Sequence, residues 1–324
     1  MFCRMSSKHC FFSFLVGVSL VAGLPAKESN FPEAPDAAVR HVAGQLAEMN
    51  GGVLWDALPE SYQGDLTKLA RLASEKIDAG NYGRVFKLAG RIAELMDNKA
   101  GFIRNSKIGG SLPEENLADL DAALPLLSTL LSDLADSPIA THAGLQSFDG
   151  KQFFSGTVSH LLRFIESASA LGAGEAFSVG DLSQLKVKVL SQDGSTASLE
   201  TVLPGNEPER EDYELVEGRW LPRSLTGQWA EGMANVKSSL DAVTAEQAEA
   251  NKAQAGMILV VFEGVLTGIE SAETQEAFDQ ALQSATLPLM GILMMSGQSG
   301  FGMPAAPVPP TVPEPLSPKA GFLE

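Results

Sequence analysis

The sequence has almost no cysteine. Only Cys3 and Cys10 occur among its 324 residues, and both lie in an apolar N-terminal segment, so that none follows residue 26. This absence excludes disulfide bonds, thiolate metal sites and a cysteine nucleophile from the rest of the chain. An apolar core must therefore hold the protein together. The remainder is long enough for one, since a chain of about 300 residues buries roughly 75% of its unfolded surface.

Basic residues are also scarce. The chain has 23 lysines and arginines against 40 aspartates and glutamates, a formal net charge of −17. Removal of the N-terminal segment takes away Arg4 and Lys8, which leaves 21 basic residues against 40 acidic ones and a charge of −19. Such a surface repels phosphate backbones and anionic headgroups. We therefore expect no nucleic-acid partner, while a protein partner remains open.

The first 26 residues have the pattern of a cleavable signal peptide. Two basic residues and no acid precede a charge-free apolar run of 15 residues, 10–24. A membrane span needs about 20 such residues, so a signal core is favoured over an uncleaved anchor. Cleavage after Ala26 or after Gly23 leaves a small residue at the cut. This pattern predicts a protein of the periplasm or the medium, with no transmembrane segment after cleavage.

Helical spacing of apolar residues predicts a helical region over 27–175. Its first helix is expected to start near Ala37 and to end at the left-handed signal Asn50-Gly51-Gly52. Ser111 and Glu114 form a capping-box pattern at the start of another helix. Six leucines follow at steps of three or four residues: Leu117, Leu120, Leu124, Leu127, Leu131 and Leu134. This stripe fits a core face or a coiled-coil seam, with a kink or a helix break at Pro125.

The period changes to strict alternation over 176–226, which predicts an antiparallel meander of about four strands. We expect one packed face and one wet face. The predicted fold class is therefore α+β and mostly helical, with helices around one small sheet.

The turn at Asp193-Gly194 is predicted to be a three-residue loop that ends at Gly194, with positive φ there. That loop would place Val187 opposite Leu199 and Lys186 opposite Glu200. A two-residue turn on Asp193-Gly194 would place an acid among the buried side chains.

Helical spacing returns over 227–287, where Thr244 and Gln247 offer a second capping box for a helix to about Glu270. A further helix, about 274–286, is expected to stop at Pro288. Residues 288–324 are predicted to be a Gly/Pro-rich disordered tail, because the stretch 304–318 has seven prolines in fifteen residues.

No catalytic, cofactor-binding or metal-binding constellation is recognisable. His41, His142 and His160 lie far apart in sequence, and no H-E-x-x-H or G-x-S-x-G motif occurs. The acidic run 207–212 could hold a divalent cation, but a solvated loop is favoured over an ion site. We therefore expect no cofactor and no resident metal.

Residues 185–229 resemble the sheet of small exported α+β domains of the NTF2-like kind. The points of similarity are an alternating strand, a D-G turn, an acidic third strand and Glu217-Gly218-Arg219-Trp220 followed by a further tryptophan. The resemblance implies helices that precede and cup the sheet, whereas the helices after Trp229 depart from it. Such folds include binding modules and enzymes alike. The rest of the chain looks like bacterial exported proteins.

These observations favour an exported binding or interaction protein without chemistry of its own. One alternative is a hydrolase that uses carboxylates and His142 or His160, because carboxylates can converge from distant segments. Another is a membrane-peripheral protein that uses the apolar run 285–295.

Overall fold

The computed structural model describes residues 31–107, 110, 113–171 and 178–298. In that part the protein is mostly helical and has one four-stranded antiparallel sheet, which confirms the predicted α+β class. The predicted signal segment 1–26, with its cleavage sites Ala26 and Gly23, lies outside the described residues. So do Ser111 of the first predicted capping box and the chain beyond residue 298.

The helices are α1 (Pro35–Ala47), α2 (Gly52–Ala57), α3 (Glu60–Lys76), α4 (Ala79–Asn98), α5 (Ala100–Asn105), α6 (Glu114–Ala135), α7 (His142–Gln146), α8 (Gly150–Phe153), α9 (Ser159–Ala170), α10 (Arg223–Asp241), α11 (Ala245–Glu270) and α12 (Gln275–Gln298). The strands are β1 (Lys186–Asp193), β2 (Thr196–Val202), β3 (Glu209–Val216) and β4 (Arg219–Pro222). Short 3₁₀ helices occur at Pro138–Ala140 and Val179–Gln184, and a π-helical turn at Phe154–Val158.

The sheet is a meander in the order β1, β2, β3, β4, with one apolar face and one charged face. The apolar face packs on Ala38 of α1 and contributes Ala197, Leu199, Tyr213 and Trp220 to a buried cluster. The charged face carries the Arg210–Glu200 ion pair between β3 and β2. The prediction of one packed face and one wet face is confirmed.

A second buried cluster joins α2, α3 and α10 to the edge strand β4. Its largest members are Trp55, Tyr62, Phe154, Leu221 and Trp229. The rings of Tyr62 and Trp229 are stacked, with centroids 3.8 Å apart and planes 5° apart. Burial of aromatic side chains of this size contributes strongly to stability.

Five helices lie side by side in the order α9, α6, α4, α11, α12. In the pair α4–α6, the buried hydroxyl of Ser128 donates to the carbonyl of Ala93. In the pair α4–α11, Arg84 binds Glu263 and Arg91 binds Glu270, so the two helices run parallel. This row brings α6 and α9 together at one end and leaves α12 at the other.

The leucine stripe of α6 lies in this row. Leu124 is buried, whereas Leu127 is 37% exposed, and α6 packs along α4. Of the two predicted roles of the stripe, a core face or a coiled-coil seam, the core face is therefore supported for its middle part. The helix is continuous through Pro125, so of the two predicted alternatives, a kink or a helix break, the break is wrong. Pro125 lies on the exposed side of the helix, where water can bind the carbonyl that has lost its amide partner.

The first helix ends at a left-handed residue, as predicted, but this residue is not in the predicted Asn50-Gly51-Gly52 signal. The left-handed position is Met49, with φ 61°, whereas Gly51 has φ −65°. The amide of Met49 donates to the carbonyl of Leu46 and that of Asn50 to the carbonyl of Gln45. This pair of hydrogen bonds is the Schellman motif with Met49 at the left-handed position.

The predicted register of β1 and β2 is wrong by two residues, although the faces are right. Glu200 lies opposite Lys188 instead of Lys186, and Leu199 lies opposite Val189 instead of Val187. A bulge between Val189 and Ser191 adds one residue to β1, and the turn consists of Gly194-Ser195 alone. The predicted positive φ at Gly194 is confirmed, at 54°. A glycine at the first central position suits a two-residue type II′ turn.

The C-terminal boundaries also differ from the prediction in two places. Helix α10 begins at Arg223, directly after β4, instead of at 227. Helix α12 runs through Pro288 to Gln298, so that residues 288–298 are helical and do not belong to a tail. The capping box of Thr244 and Gln247 is confirmed, and α11 ends at Glu270 as expected.

Candidate functional site

A groove of about 310 Å³ lies between α6 and α9, at the end of the helix row. Its apolar lining consists of Leu126 and Leu130 from α6 and Phe164 from α9. Ligand sites are commonly concave, mostly apolar and supplied with a few polar groups. The groove is therefore the candidate site, and its polar groups determine what it can do.

The first polar group is a histidine–carboxylate pair. His160 Nδ1 lies 2.8 Å from Asp133 Oδ1, and both side chains line the groove. Because a carboxylate accepts, we assign the proton to Nδ1, which leaves Nε2 of a neutral His160 as an acceptor. The sequence separates the two residues by 27 positions, and only the packing of α6 on α9 brings them together.

The start of α9 is fixed by a close backbone contact. The hydroxyl of Ser159 accepts a hydrogen bond of 2.8 Å from the amide of Gly51. A Cβ atom on Gly51 would lie 2.6 Å from the carbonyl oxygen of Phe154, in the π-helical turn before α9. The absence of a side chain at Gly51 thus allows its backbone to approach the π-helical turn closely. This contact orients the helix that carries His160.

The second polar group is Arg163, one turn after His160 on α9. Its side chain lines the groove and is exposed. Within the described part of the chain it has no ion-pair partner, in contrast to Arg84, Arg91, Arg104 and Arg210. The groove therefore presents a guanidinium group to solvent beside an apolar surface.

The hydroxyl groups in the lining are not placed for nucleophilic catalysis. Thr129 donates to the carbonyl of Pro125 on its own helix, at 2.8 Å. Ser167 is seven residues after His160 on α9, which corresponds to about 10 Å along the helix axis. A base must lie within about 3 Å of the hydroxyl that it deprotonates. The pair of Asp133 and His160 therefore has no hydroxyl partner in this lining.

The other two histidines of the described residues, His41 and His142, are in structural positions. His142 Nε2 lies 2.8 Å from the carbonyl oxygen of Ser74, which joins α7 to α3. The ring of His41 packs edge-on against Phe31, with centroids 5.3 Å apart. Neither of them is part of the groove lining.

The acidic run 207–212 is not a solvated loop throughout, because its residues from Glu209 onward form the start of β3. Arg210 pairs with Glu200, and Glu211 accepts from the hydroxyl of Ser224. Among the residues that the structure describes, no group of three or more histidines, cysteines or acids is placed to hold a metal ion.

The far end of the row presents a different surface. On α11, Met257 and Val260 are 58% and 61% exposed, and on α12 Leu287 is 79% exposed. Of the described helices, α11 is long and apolar enough to cross a membrane, by length and composition alone. Two of its four acids, Glu263 and Glu270, however, bind arginines of α4.

Sequence reasoning singled out His160 but missed Asp133 and Arg163 as its neighbours in a groove. A signal was available within each helix, since His160, Arg163, Phe164 and Ser167 follow the spacing of one helix face. That spacing does not indicate which other helix packs against this face.

The chain matches no protein-family model, no curated protein and no solved structure. The function must therefore be inferred from the groove and from the exposed surfaces.

Proposed function

We propose that this is an exported binding protein without chemistry of its own, and that the groove between α6 and α9 is its binding site. The observation that carries the proposal is the lining itself. Leu126, Leu130 and Phe164 provide an apolar surface, and Arg163 and the Asp133–His160 pair provide orienting polar groups. No hydroxyl in this lining is placed to act as a nucleophile with His160.

The size of the groove suggests a small ligand or a single side chain of a partner. Its volume of about 310 Å³ lies at the lower end of the range for ligand pockets, roughly 300–1,000 Å³. The rigid surroundings favour binding, because α6 is packed on α4 and α9 is anchored by Ser159.

The test is a fluorescence titration of the purified exported protein with N-phenyl-1-naphthylamine, a neutral probe that brightens in apolar surroundings. We expect saturable binding that is lost in Ser167→Trp, because an indole at this position fills the groove. Ser238→Trp is the matched control, since Ser238 lies on an exposed side of α10. Equal binding to both variants would place the probe elsewhere and contradict the proposal.

A hydrolase is the second candidate, and the Asp133–His160 pair is the observation that favours it. Nε2 of His160 could accept a proton from a water molecule in the groove. Hydrolysis of p-nitrophenyl acetate that falls to the buffer rate in His160→Asn would support this candidate. Our proposal expects the same rate with the protein as without it.

A membrane-peripheral role is the third candidate, and it rests on the exposed Leu287 in the run 285–295 and on Met257 of α11. The ion pairs of Glu263 and Glu270 with α4 argue for α11 as a packed helix of the row. Our proposal expects the protein to stay in solution when vesicles of neutral phosphatidylcholine are floated. Flotation that is lost in Leu287→Ser would favour the membrane role.

We keep the NTF2-like resemblance of 185–229 as a proposal as well. It is supported by α1, which precedes the sheet and packs on its apolar face through Ala38. Export to the periplasm or the medium is likewise a proposal, supported by the apolar run in 1–26.

A further inference from the structure

Arg163 is the charged group of the groove that narrows the class of ligand. Arg163 lies beside Leu126, Leu130 and Phe164, and within the described residues no acid forms an ion pair with it. The chain has 40 acidic residues against 23 basic ones, so acids are available for pairing with a surface arginine. Here the guanidinium group is left available beside an apolar surface.

We propose that the groove binds a small aliphatic carboxylate, with its carboxylate on Arg163 and its chain on the apolar lining. The planar guanidinium group matches a carboxylate through two parallel hydrogen bonds. The volume of about 310 Å³ is roughly that of ten water molecules in the liquid, which suits a chain of medium length. The inference rests on the proposed binding function and adds the chemical class of the ligand.

Asp133 should affect carboxylate binding in the opposite direction to Arg163, because its charge has the opposite sign. Its carboxylate is the other charged group of the lining and is held by His160 Nδ1 at 2.8 Å. A bound carboxylate on Arg163, one turn from His160 on the same helix, is repelled by it. Removing the charge of Asp133 should therefore strengthen binding, while removing that of Arg163 should weaken it.

The experiment is a calorimetric titration with octanoate and with 1-octanol, which share the eight-carbon chain and differ in charge. We expect Arg163→Gln to weaken octanoate binding about tenfold, as for loss of a hydrogen bond to a charged group, and to leave octanol unchanged. Arg71→Gln is the matched control for net charge, because Arg71 is exposed on α3. Asp133→Asn keeps an acceptor for His160 and should tighten octanoate binding roughly threefold.

The outcomes separate this inference from the binding function. If octanol and octanoate bind equally and Arg163→Gln changes neither, the ligand class is wrong and the groove remains a binding site. If neither compound binds and the neutral naphthylamine probe also fails, the binding function itself is wrong. An equal loss of octanoate binding in Arg71→Gln would reveal a general charge effect and overturn the inference. Octanol binding also reports whether each variant is folded.

Discussion

The backbone of Gly51 packs directly against backbone atoms of the π-helical turn and of the first residue of α9. A Cβ atom at this position would lie 2.6 Å from the carbonyl oxygen of Phe154 and 2.9 Å from the amide nitrogen of Ser159. Backbone atoms held in a helix cannot move aside as a flexible side chain can. Gly51→Ala should therefore destabilise the protein by about 1–3 kcal/mol, as overpacking does.

The matched control is Gly64→Ala in the interior of α3, where no atom lies within 4 Å of an added Cβ. There we expect a gain of roughly 0.5–1 kcal/mol, because alanine loses less backbone freedom in a helix than glycine. Urea denaturation of both variants gives the two free energies of unfolding. A neutral or stabilising Gly51→Ala would show that the π-helical turn can move.

At the residue scale, sequence reasoning recognised special backbone positions but not their exact roles. Gly194 was correctly expected to have positive φ, whereas the bulge after Val189 carries no glycine or proline that would mark it. The displaced turn shifts the partner of Ser191 by three residues, and the bulge, which adds one residue to β1, reduces the shift to two at Val189. Because the side-chain period in a strand is two, an even shift leaves each side chain on its predicted face.

The pairing of α4 with α11 shows how an apolar helix is held in the row. Arg84 donates to both carboxylate oxygens of Glu263 at 2.8 Å. Seven residues later on each helix, Arg91 makes the same two-bond contact with Glu270. The hydrogen bonds from Arg84 lower the pKa of Glu263 below its ordinary value.

This lowered pKa predicts a dependence of stability on pH. Since Glu263 is less basic in the folded state than in the unfolded state, the unfolded chain binds the proton first as the solution is acidified. The stabilisation by this pair is complete above the ordinary glutamate pKa of about 4.3 and is lost as pH falls through the lowered folded value. Glu263→Gln should therefore be less sensitive to acid than the wild type.

The measurement is the urea midpoint at neutral and at acidic pH for wild type, Glu263→Gln and a control. Glu249→Gln is suitable as the control, because the Glu249 side chain is 76% exposed on the same helix and lies 3.9 Å from its nearest cation. We expect the control to follow the wild type. If Glu263→Gln loses as much stability on acidification as the wild type does, the pair contributes nothing to the pH dependence.

At the element scale, boundaries set by local contacts were easier to predict than boundaries set by packing. Thr244 caps α11 as its motif indicates, because a cap is a local contact between neighbouring residues. A kink or a helix break is expected at Pro125 and a helix end at Pro288, yet each proline lies inside a continuous helix. Both prolines are exposed, so water can replace the missing amide partner. Exposure depends on how the helices pack, and the local sequence does not reveal it.

At the scale of the whole molecule, the candidate groove could not be predicted, because it depends on which helices pack side by side. Its lining comes from two helices separated in the chain by α7, α8 and a π-helical turn. The fold class was predictable, since periodicity determines helix and strand directly. The order of the helix row depends on contacts over more than a hundred positions, such as Arg84 with Glu263.

The proposed export signal leads to the last prediction, which also concerns the whole molecule. The described chain begins at Phe31, whose ring lies 4.8 Å from the guanidinium carbon of Arg219. Nearby, the indole nitrogen of Trp220 donates to the carbonyl of Glu33 at 2.7 Å. Phe31, five residues after Ala26, is thus already attached to the sheet.

We expect N-terminal sequencing of the exported protein to start at Lys27 or at Leu24, after cleavage at Ala26 or Gly23. Val18→Asp should abolish export, because a charge in the apolar run opposes its entry into the membrane, while Val18→Leu should leave export unchanged. The folded domain itself should keep its urea midpoint in both cases, since residue 18 belongs to the predicted signal segment. Protein with an intact Met1 in the membrane fraction of the wild type would contradict the cleavable signal and support an anchor.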